Sequence, residues 1–126
     1  MWSSTQPEKK LMADYRTLKT NEILFQQGDE PDNMYIVKSG QVAIFISDGQ
    51  SNRVVAVAGA GELIGEVALM DHKPRSAGAK ALCDTSLVVL PYDVLRKQLE
   101  TLPEWVRVAM KTLSDKLRET NRKILS

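Results

Sequence analysis

Residues 62–81 read ELIGEVALMDHKPRSAGAKA and bring an acid, an arginine and several glycines and alanines into one short stretch. Gly65 and Gly78 permit backbone conformations and close approaches that a side chain would block. The segment EVAL, which starts at Glu66, is suited to one turn of helix. The free N–H groups at a helix start suit an anion. The stretch therefore predicts a glycine-containing loop that opens a short helix beside an anionic group.

The two charged residues of this stretch suit different parts of one ligand. Arg75 carries a planar, permanently charged fork that matches a phosphate, and Ser76 adds a hydroxyl donor beside it. Glu66 cannot pair with a phosphate but can accept hydrogen bonds from sugar hydroxyls. Phosphate and sugar recognition together indicate a nucleotide. A surface salt bridge between Glu66 and Arg75 on a glycine-containing turn accounts for the spacing equally well.

Short apolar runs separated by turn residues surround this stretch. The predicted strands include EILF at 22–25, MYIVKSG at 34–40, QVAIFIS at 41–47, RVVAVAG at 53–59 and TSLVVLP at 85–91. An Asp-Gly pair at 48–49 predicts a hairpin loop. About seven strands at this spacing predict a mainly β fold, an antiparallel barrel or jelly roll.

Helical patterns occur at both ends of the chain. Residues 8–16, EKKLMADYR, predict a short N-terminal helix, and Pro91 and Pro103 each open a helix in the last third. The second of these carries a heptad-like seam of Val106, Met110, Leu113, Leu117, Thr120 and Ile124. Its other apolar flank consists of Trp105, Val108, Ala109 and Thr112.

These two flanks predict how the long helix is used. We expect the flank that starts at Trp105 to face the barrel, and the seam to bind a second copy, giving a homodimer through residues 103–125. The alternative is one wide apolar face packed entirely on the barrel.

Composition excludes several classes of protein. The 126 residues make one domain, and 17 Lys+Arg against 16 Asp+Glu leave a net charge of +1, which argues against nucleic acid or an anionic membrane as partner. The start MWSSTQPEKK lacks an apolar core, so we do not expect a signal peptide there, and no run is long and apolar enough to predict a membrane span. With one cysteine, Cys83, no intrachain disulfide can form, which suits a cytoplasmic protein.

Few residues are available for catalysis. His72 is the only histidine, so a metal site with several histidines or a nucleophile–histidine pair is not expected. Cys83 is expected to be a small apolar core residue. The sequence therefore predicts neither an enzyme nor a metal site.

The stretch 64–77 resembles the phosphate-binding cassette of the cyclic nucleotide-binding domain family. The matching residues are Gly65, Glu66, Val67, Ala68, Leu69, Pro74, Arg75, Ser76 and Ala77. The upstream segment ILFQQGDEPDNMYIVKSGQVAIF, at 23–45, resembles the family's glycine-rich turns and strands. The resemblance implies one domain over 1–126, with a β-roll at 17–91, an N-terminal helix at 8–16 and C-terminal helices over 91–126.

The resemblance also implies residue roles. Glu66 would bind the ribose 2′-hydroxyl and Arg75 the cyclic phosphate, with backbone N–H groups near Ala68 and Ser76 completing the cradle. The base would pack on Val55, Val57 and Ile64. An ungapped alignment with the family's bacterial catabolite activators places Thr120 and Asn121 where two polar residues meet adenine. Because Thr120 lies on the seam, it is either a base contact or a device that fixes helix register.

Together these features predict a non-catalytic cyclic nucleotide sensor that signals through the long helix to a second protomer or an unknown effector protein. Cyclic AMP is the expected ligand and cyclic GMP the less favoured one, with Ser76 the residue that could meet a guanine amino group. The alternatives are a regulatory fragment of a larger enzyme or transcription factor, and an interaction module with a degenerate pocket.

Overall fold

The computed structural model describes the backbone of residues 14–125 and, except at Met70 and 121–125, their side chains. Its strands are β1 (Tyr15–Leu18), β2 (Ile23–Phe25), β3 (Asn33–Ser39), β4 (Val42–Ser47), β5 (Asn52–Ala58), β6 (Leu63–Ile64), β7 (Gly78–Ala81) and β8 (Thr85–Pro91). Its helices are α1 (Val67–Asp71), α2 (Tyr92–Leu99) and α3 (Glu104–Leu125).

The strands form two antiparallel sheets in the orders β1-β8-β3-β6 and β2-β7-β4-β5. Apolar side chains that alternate along the strands point between the sheets, and Leu18, Val37, Val42, Ile64 and Leu87 are almost completely buried there. The mainly β fold with flanking helices, a β-roll, is therefore confirmed.

Turn residues set where the strands of the roll end. Asp48 accepts hydrogen bonds from the backbone N–H groups of Gln50 and Ser51, so that Ser47 pairs with Asn52 across the predicted hairpin. Gly40 adopts a φ of +93° between β3 and β4, where a Cβ would lie 2.6 Å from the carbonyl oxygen of Asp84. This glycine is therefore required both for its conformation and for the close approach of the β7–β8 turn.

The predicted N-terminal helix needs correction at its end. Residues 8–13 lie outside the described part of the chain, but Tyr15 and Arg16 belong to β1. They pair with Val88 and Leu87 of β8. Pairing with a strand distant in sequence outweighs the local helical pattern here.

Cys83 is exposed, and not the core residue that the sequence predicted. Strand β7 ends at Ala81, and Cys83 falls in the bend that leads to β8. Leu87, further along β8, fills the core instead, because the strand alternation starts only after this bend.

The face of the long helix α3 that packs on the rest of the domain also differs from the prediction. Trp105 and Val108, expected to face the barrel, are 73% and 57% exposed, whereas Val106 and Met110 are half-buried and Ser114 is buried. The reason is that α3 packs on α1 and not across the sheets. Within residues 14–125, the helices are all too short or too polar to cross a bilayer.

Candidate functional site

A cavity of about 330 Å³ lies between β5, the α1 region and α3. Its wall is largely apolar, and two charged side chains of the cassette, Glu66 and Arg75, line it as well. The full lining is Phe25, Ile44, Ile46, Val55, Ala56, Val57, Ala58, Glu62, Leu63, Ile64, Gly65, Glu66, Val67, Ala68, Arg75, Ser76, Ala77, Leu117 and Arg118. Its size falls in the range of roughly 300–1,000 Å³ that small-molecule pockets occupy.

Arg75 is 6% exposed, and the protein fixes its guanidinium group from three sides. Nη1 donates to the hydroxyl of Tyr92 at 2.8 Å, and Nη2 donates to the carbonyl oxygen of Asn33 at 2.6 Å. The ring of Phe25 lies under the group, 4.0 Å from ring centroid to Cζ. These contacts replace the salt bridge to Glu66 that the spacing alone allowed.

One nitrogen of this arginine makes no hydrogen bond within the described part of the chain. Among the side chains of the described residues, Nε of Arg75 is buried without a hydrogen bond. A buried unpaired donor on a charged group is costly unless a ligand or water meets it. Arg75 therefore offers hydrogen-bonding capacity that suits an anion in the cavity.

Gly65 shapes the wall beside this arginine. Its φ is +84°, and a Cβ there would lie 2.5 Å from Nη1 of Arg75. The Tyr92 hydroxyl donates to the Gly65 carbonyl oxygen. Glycine is thus needed for the turn into α1 and for the space that the guanidinium group fills.

The long helix reaches the cavity through Leu117 and Arg118. Arg118 forms a two-fold ion pair with Asp71 at the end of α1, through Nε to Oδ2 and through Nη2 to Oδ1, and it also donates to the Lys73 carbonyl. Burial alone would raise the pKa of Asp71, but the hydrogen bonds from Arg118 and the Lys73 backbone outweigh it and lower the pKa below its ordinary value. Asp71 is therefore a carboxylate whose charge Arg118 balances.

The domain that carries this cavity matches a known protein family. Residues 15–101 match the family described as Cyclic nucleotide-binding domain. This chain belongs to that family.

Relatives of this cyclic nucleotide-binding domain include several regulators. The Cyclic AMP receptor protein of Thermus thermophilus is 36% identical over 99 residues, which are 78% of this chain and 46% of that protein. The chain thus matches less than half the length of that relative. The solved Catabolite Activator Protein of Thermus thermophilus is similar with a TM-score of 0.72 and 30% identity, over 94% of this chain and 57% of that one.

A second kind of relative is an enzyme that contains such a domain. The EAL enzyme Bd1971 in its cAMP-bound form is similar with a TM-score of 0.81 and 28% identity, over 89% of this chain and 30% of that one. Its cGMP-bound form gives a TM-score of 0.76 at 30% identity, over 83% and 28% of the two chains. The cyclic nucleotide-binding domain therefore occurs in proteins of different overall activity.

The structure brings most of the predicted ligand-binding residues of this domain to one cavity. Those that line it are Val55, Val57, Ile64, Gly65, Glu66, Val67, Ala68, Arg75, Ser76 and Ala77. Thr120 is exposed and does not line the cavity, and the side chain of Asn121 is outside the described part. Leu117 and Arg118, about one helical turn earlier, occupy the wall that was expected to carry the two polar residues.

The sequence reasoning missed the partners that hold Arg75, namely Phe25, Asn33 and Tyr92, and also Asp71 and Arg118 of the ion pair. Phe25 was noted only as part of the segment 23–45 that resembles the family's turns and strands. An aromatic residue directly after Pro91 was a visible feature, but nothing in the sequence indicates that Tyr92 faces a residue 17 positions away. Such pairings depend on the tertiary fold alone.

Proposed function

We propose that this domain is a non-catalytic sensor of a cyclic purine nucleotide, with cyclic AMP preferred over cyclic GMP. The observation that carries the proposal is the buried guanidinium group of Arg75, with its unpaired Nε, in the wall of a cavity that Glu66 also lines. The cavity offers a fixed positive charge, a carboxylate and apolar walls. Those are the groups that a phosphate, a ribose and a base require.

Each part of the nucleotide has a proposed place. The cyclic phosphate would lie against Arg75 and Ser76, and the ribose 2′-hydroxyl would donate to Glu66. The base would pack between Val55 and Val57 of β5 and Leu117 of α3, which are among the half-exposed apolar side chains of the wall. Burying them under the base would gain hydrophobic free energy of about 25 cal/mol per Å².

The preference for cyclic AMP rests on what could meet the base. The hydroxyl of Ser76, which lines the cavity, could accept a hydrogen bond from a guanine amino group, so cyclic GMP is kept as the second ligand. The apolar wall at β5 and Leu117 favours adenine, which has fewer polar groups in need of partners than guanine has.

The test of this function is calorimetric titration of the purified chain with cyclic AMP and with cyclic GMP. We expect saturable binding of both, tighter for cyclic AMP, and much weaker binding of linear 5′-AMP, whose extra charge and open phosphate do not fit the same cradle. An absence of binding of either cyclic nucleotide at millimolar concentration would contradict the proposed function.

The signal is proposed to leave the cavity through α3. Leu117 and Arg118 are neighbours on this helix, one beside the base and one tied to Asp71 of the cassette, so a change in the cassette alters the contacts of α3. A nucleotide would act by binding one arrangement of α3 better than another. Exposed apolar residues of α3, including Trp105, Val108 and Leu113, are the proposed contact with a second copy of the chain.

Substitution of Leu113 tests the dimer. Leu113 is 61% exposed and does not line the cavity, so Leu113→Glu places a charge in the proposed interface and leaves the binding wall intact. We expect light scattering to give the mass of a dimer for the unaltered chain and of a monomer for Leu113→Glu. Gln98→Glu, which adds the same charge at an exposed site on α2, should stay dimeric. A monomeric unaltered chain would contradict the dimer.

A further inference from the structure

The hydroxyl of Tyr92 lies at the centre of the network behind the cassette. Tyr92 is 1% exposed and is the first residue of α2. It accepts a hydrogen bond from Nη1 of Arg75 and donates one to the Gly65 carbonyl oxygen. Because a tyrosine hydroxyl has one proton, the donation to Gly65 leaves only its acceptor side for the arginine. The hydroxyl therefore acts both as a donor and as an acceptor in this network.

We propose that Tyr92 is a positioning residue for nucleotide binding: its hydroxyl holds the Arg75 guanidinium group against the Gly65 turn and so prepares it to receive the phosphate. The proposal rests on the proposed function, because it assigns how the same site is kept ready. Tyr92 does not line the cavity, so it acts through Arg75 and not by touching the nucleotide.

The geometry around Arg75 explains why one hydroxyl matters. Nη2 is held by the Asn33 carbonyl, and the Phe25 ring covers one face of the group. The Tyr92 hydroxyl holds Nη1, so Nε is the nitrogen of the group that has no protein partner. A guanidinium group fixed in this way loses little side-chain freedom when the phosphate arrives, and a smaller entropy loss means tighter binding.

The protonation of Tyr92 suits this role. Burial raises the pKa of its hydroxyl, against the opposing influence of the Arg75 charge, so the group stays neutral at physiological pH. A neutral hydroxyl keeps the proton that it donates to Gly65. The contact between α2, the cassette turn and the arginine is thus constant over the pH range in which binding would be measured.

A double-mutant cycle tests the positioning role, with calorimetric titration of cyclic AMP into four proteins: the unaltered chain, Tyr92→Phe, Arg75→Lys and the double variant. We expect Tyr92→Phe to weaken binding about tenfold in the unaltered background. In the Arg75→Lys background it should change binding by less than about twofold, because lysine lacks the fork that Tyr92 holds. Tyr15→Phe removes an exposed tyrosine hydroxyl and should change nothing.

The possible outcomes separate this proposal from the proposed function. If the unaltered chain does not bind cyclic AMP, both are contradicted. If it binds and Tyr92→Phe binds equally well, or is weakened equally in both backgrounds, only the positioning role is overturned. Thermal unfolding of each variant sets a titration temperature at which all four are folded.

A second measurement needs no nucleotide. The Nε–H signal of Arg75 in a ¹⁵N spectrum, assigned from its absence in Arg75→Lys, reports how firmly the guanidinium group is held. Its hydrogen exchange should be faster in Tyr92→Phe than in the unaltered chain and unchanged in Tyr15→Phe. Equal exchange in Tyr92→Phe and the unaltered chain would overturn the role of Tyr92 in holding the arginine.

Discussion

Arg75→Ala is expected to weaken cyclic AMP binding at least about 100-fold, because it removes the buried cation of the cavity wall whose unpaired donor can meet the phosphate. Hydrogen bonds to a charged group are stronger than neutral ones, and a guanidinium group can make two of them with one phosphate. The loss is larger than for an exposed arginine, since the site is partly shielded from water. Calorimetric or competition titration measures it.

A matched control separates the effect of a direct contact between Arg75 and the phosphate from the effect of lowering the protein's net charge. Arg53 is an exposed arginine near the start of β5, the strand that lines the cavity, but Arg53 itself is not part of the lining. Arg53→Ala removes the same charge and should alter the affinity less than about threefold, because exposed charges are screened by salt. An Arg75→Ala variant that binds cyclic AMP within threefold of the unaltered chain would show that Arg75 is not the phosphate partner.

Much of the β-roll could be predicted from the sequence, because its central strands carry their own signals. β3, β4 and β8 alternate apolar and polar residues between turn residues, and each predicted strand overlaps the observed one closely. β7 was missed, since Gly78–Ala81 has small residues with low β-propensity. Pairing with β2 and β4 makes it a strand, and Gly78 leaves room for the Phe45 ring, which a Cβ would approach to 2.5 Å.

In the candidate site, too, the features that depend on neighbouring residues could be predicted, and the contacts between distant residues could not. The cassette residues are close together in sequence, so the motif alone predicts that Glu66 and Arg75 share one cavity. Contacts between the cassette and the helices join residues that lie tens of positions apart along the chain, and local patterns carry no information about them. The packing of α3 on α1 puts Arg118 in the wall where an ungapped alignment predicts Thr120.

Arg118→Met is expected to lower the free energy of unfolding by about 3 kcal/mol, because it leaves the carboxylate of Asp71 buried without its partner. The Asp71 side chain is fully shielded from solvent, and 12% of the Arg118 side chain is exposed. Methionine keeps the helix propensity and the apolar stem, so the change isolates the charge. Urea unfolding measures the effect, since urea does not screen ion pairs as a salt would.

Lys111→Met is the matched control on the same helix. Lys111 also pairs with an acid, Asp115, at 3.3 Å, but these side chains are 56% and 50% exposed. An exposed pair contributes little, so Lys111→Met should cost less than about 0.5 kcal/mol. Equal losses of unfolding free energy in the two variants would contradict the view that burial makes the Asp71–Arg118 pair contribute more to stability.

The difference in unfolding free energy between the unaltered chain and Arg118→Met should depend on pH, which gives a second, independent check. The folded-state pKa of Asp71 lies below its ordinary value of 3.8, so the stability that the pair contributes is complete at neutral pH and is lost as the pH falls through the lowered pKa. In Arg118→Met, burial without a cation raises the pKa of Asp71. As the pH falls, Asp71 of the variant is therefore protonated first, which removes the cost of its unpaired charge before the unaltered chain loses its ion pair. The gap between the two proteins should therefore be largest near pH 7 and should narrow steadily towards pH 4. A gap that stays constant over this range would show that the loss comes from packing of the arginine stem and not from the unpaired carboxylate.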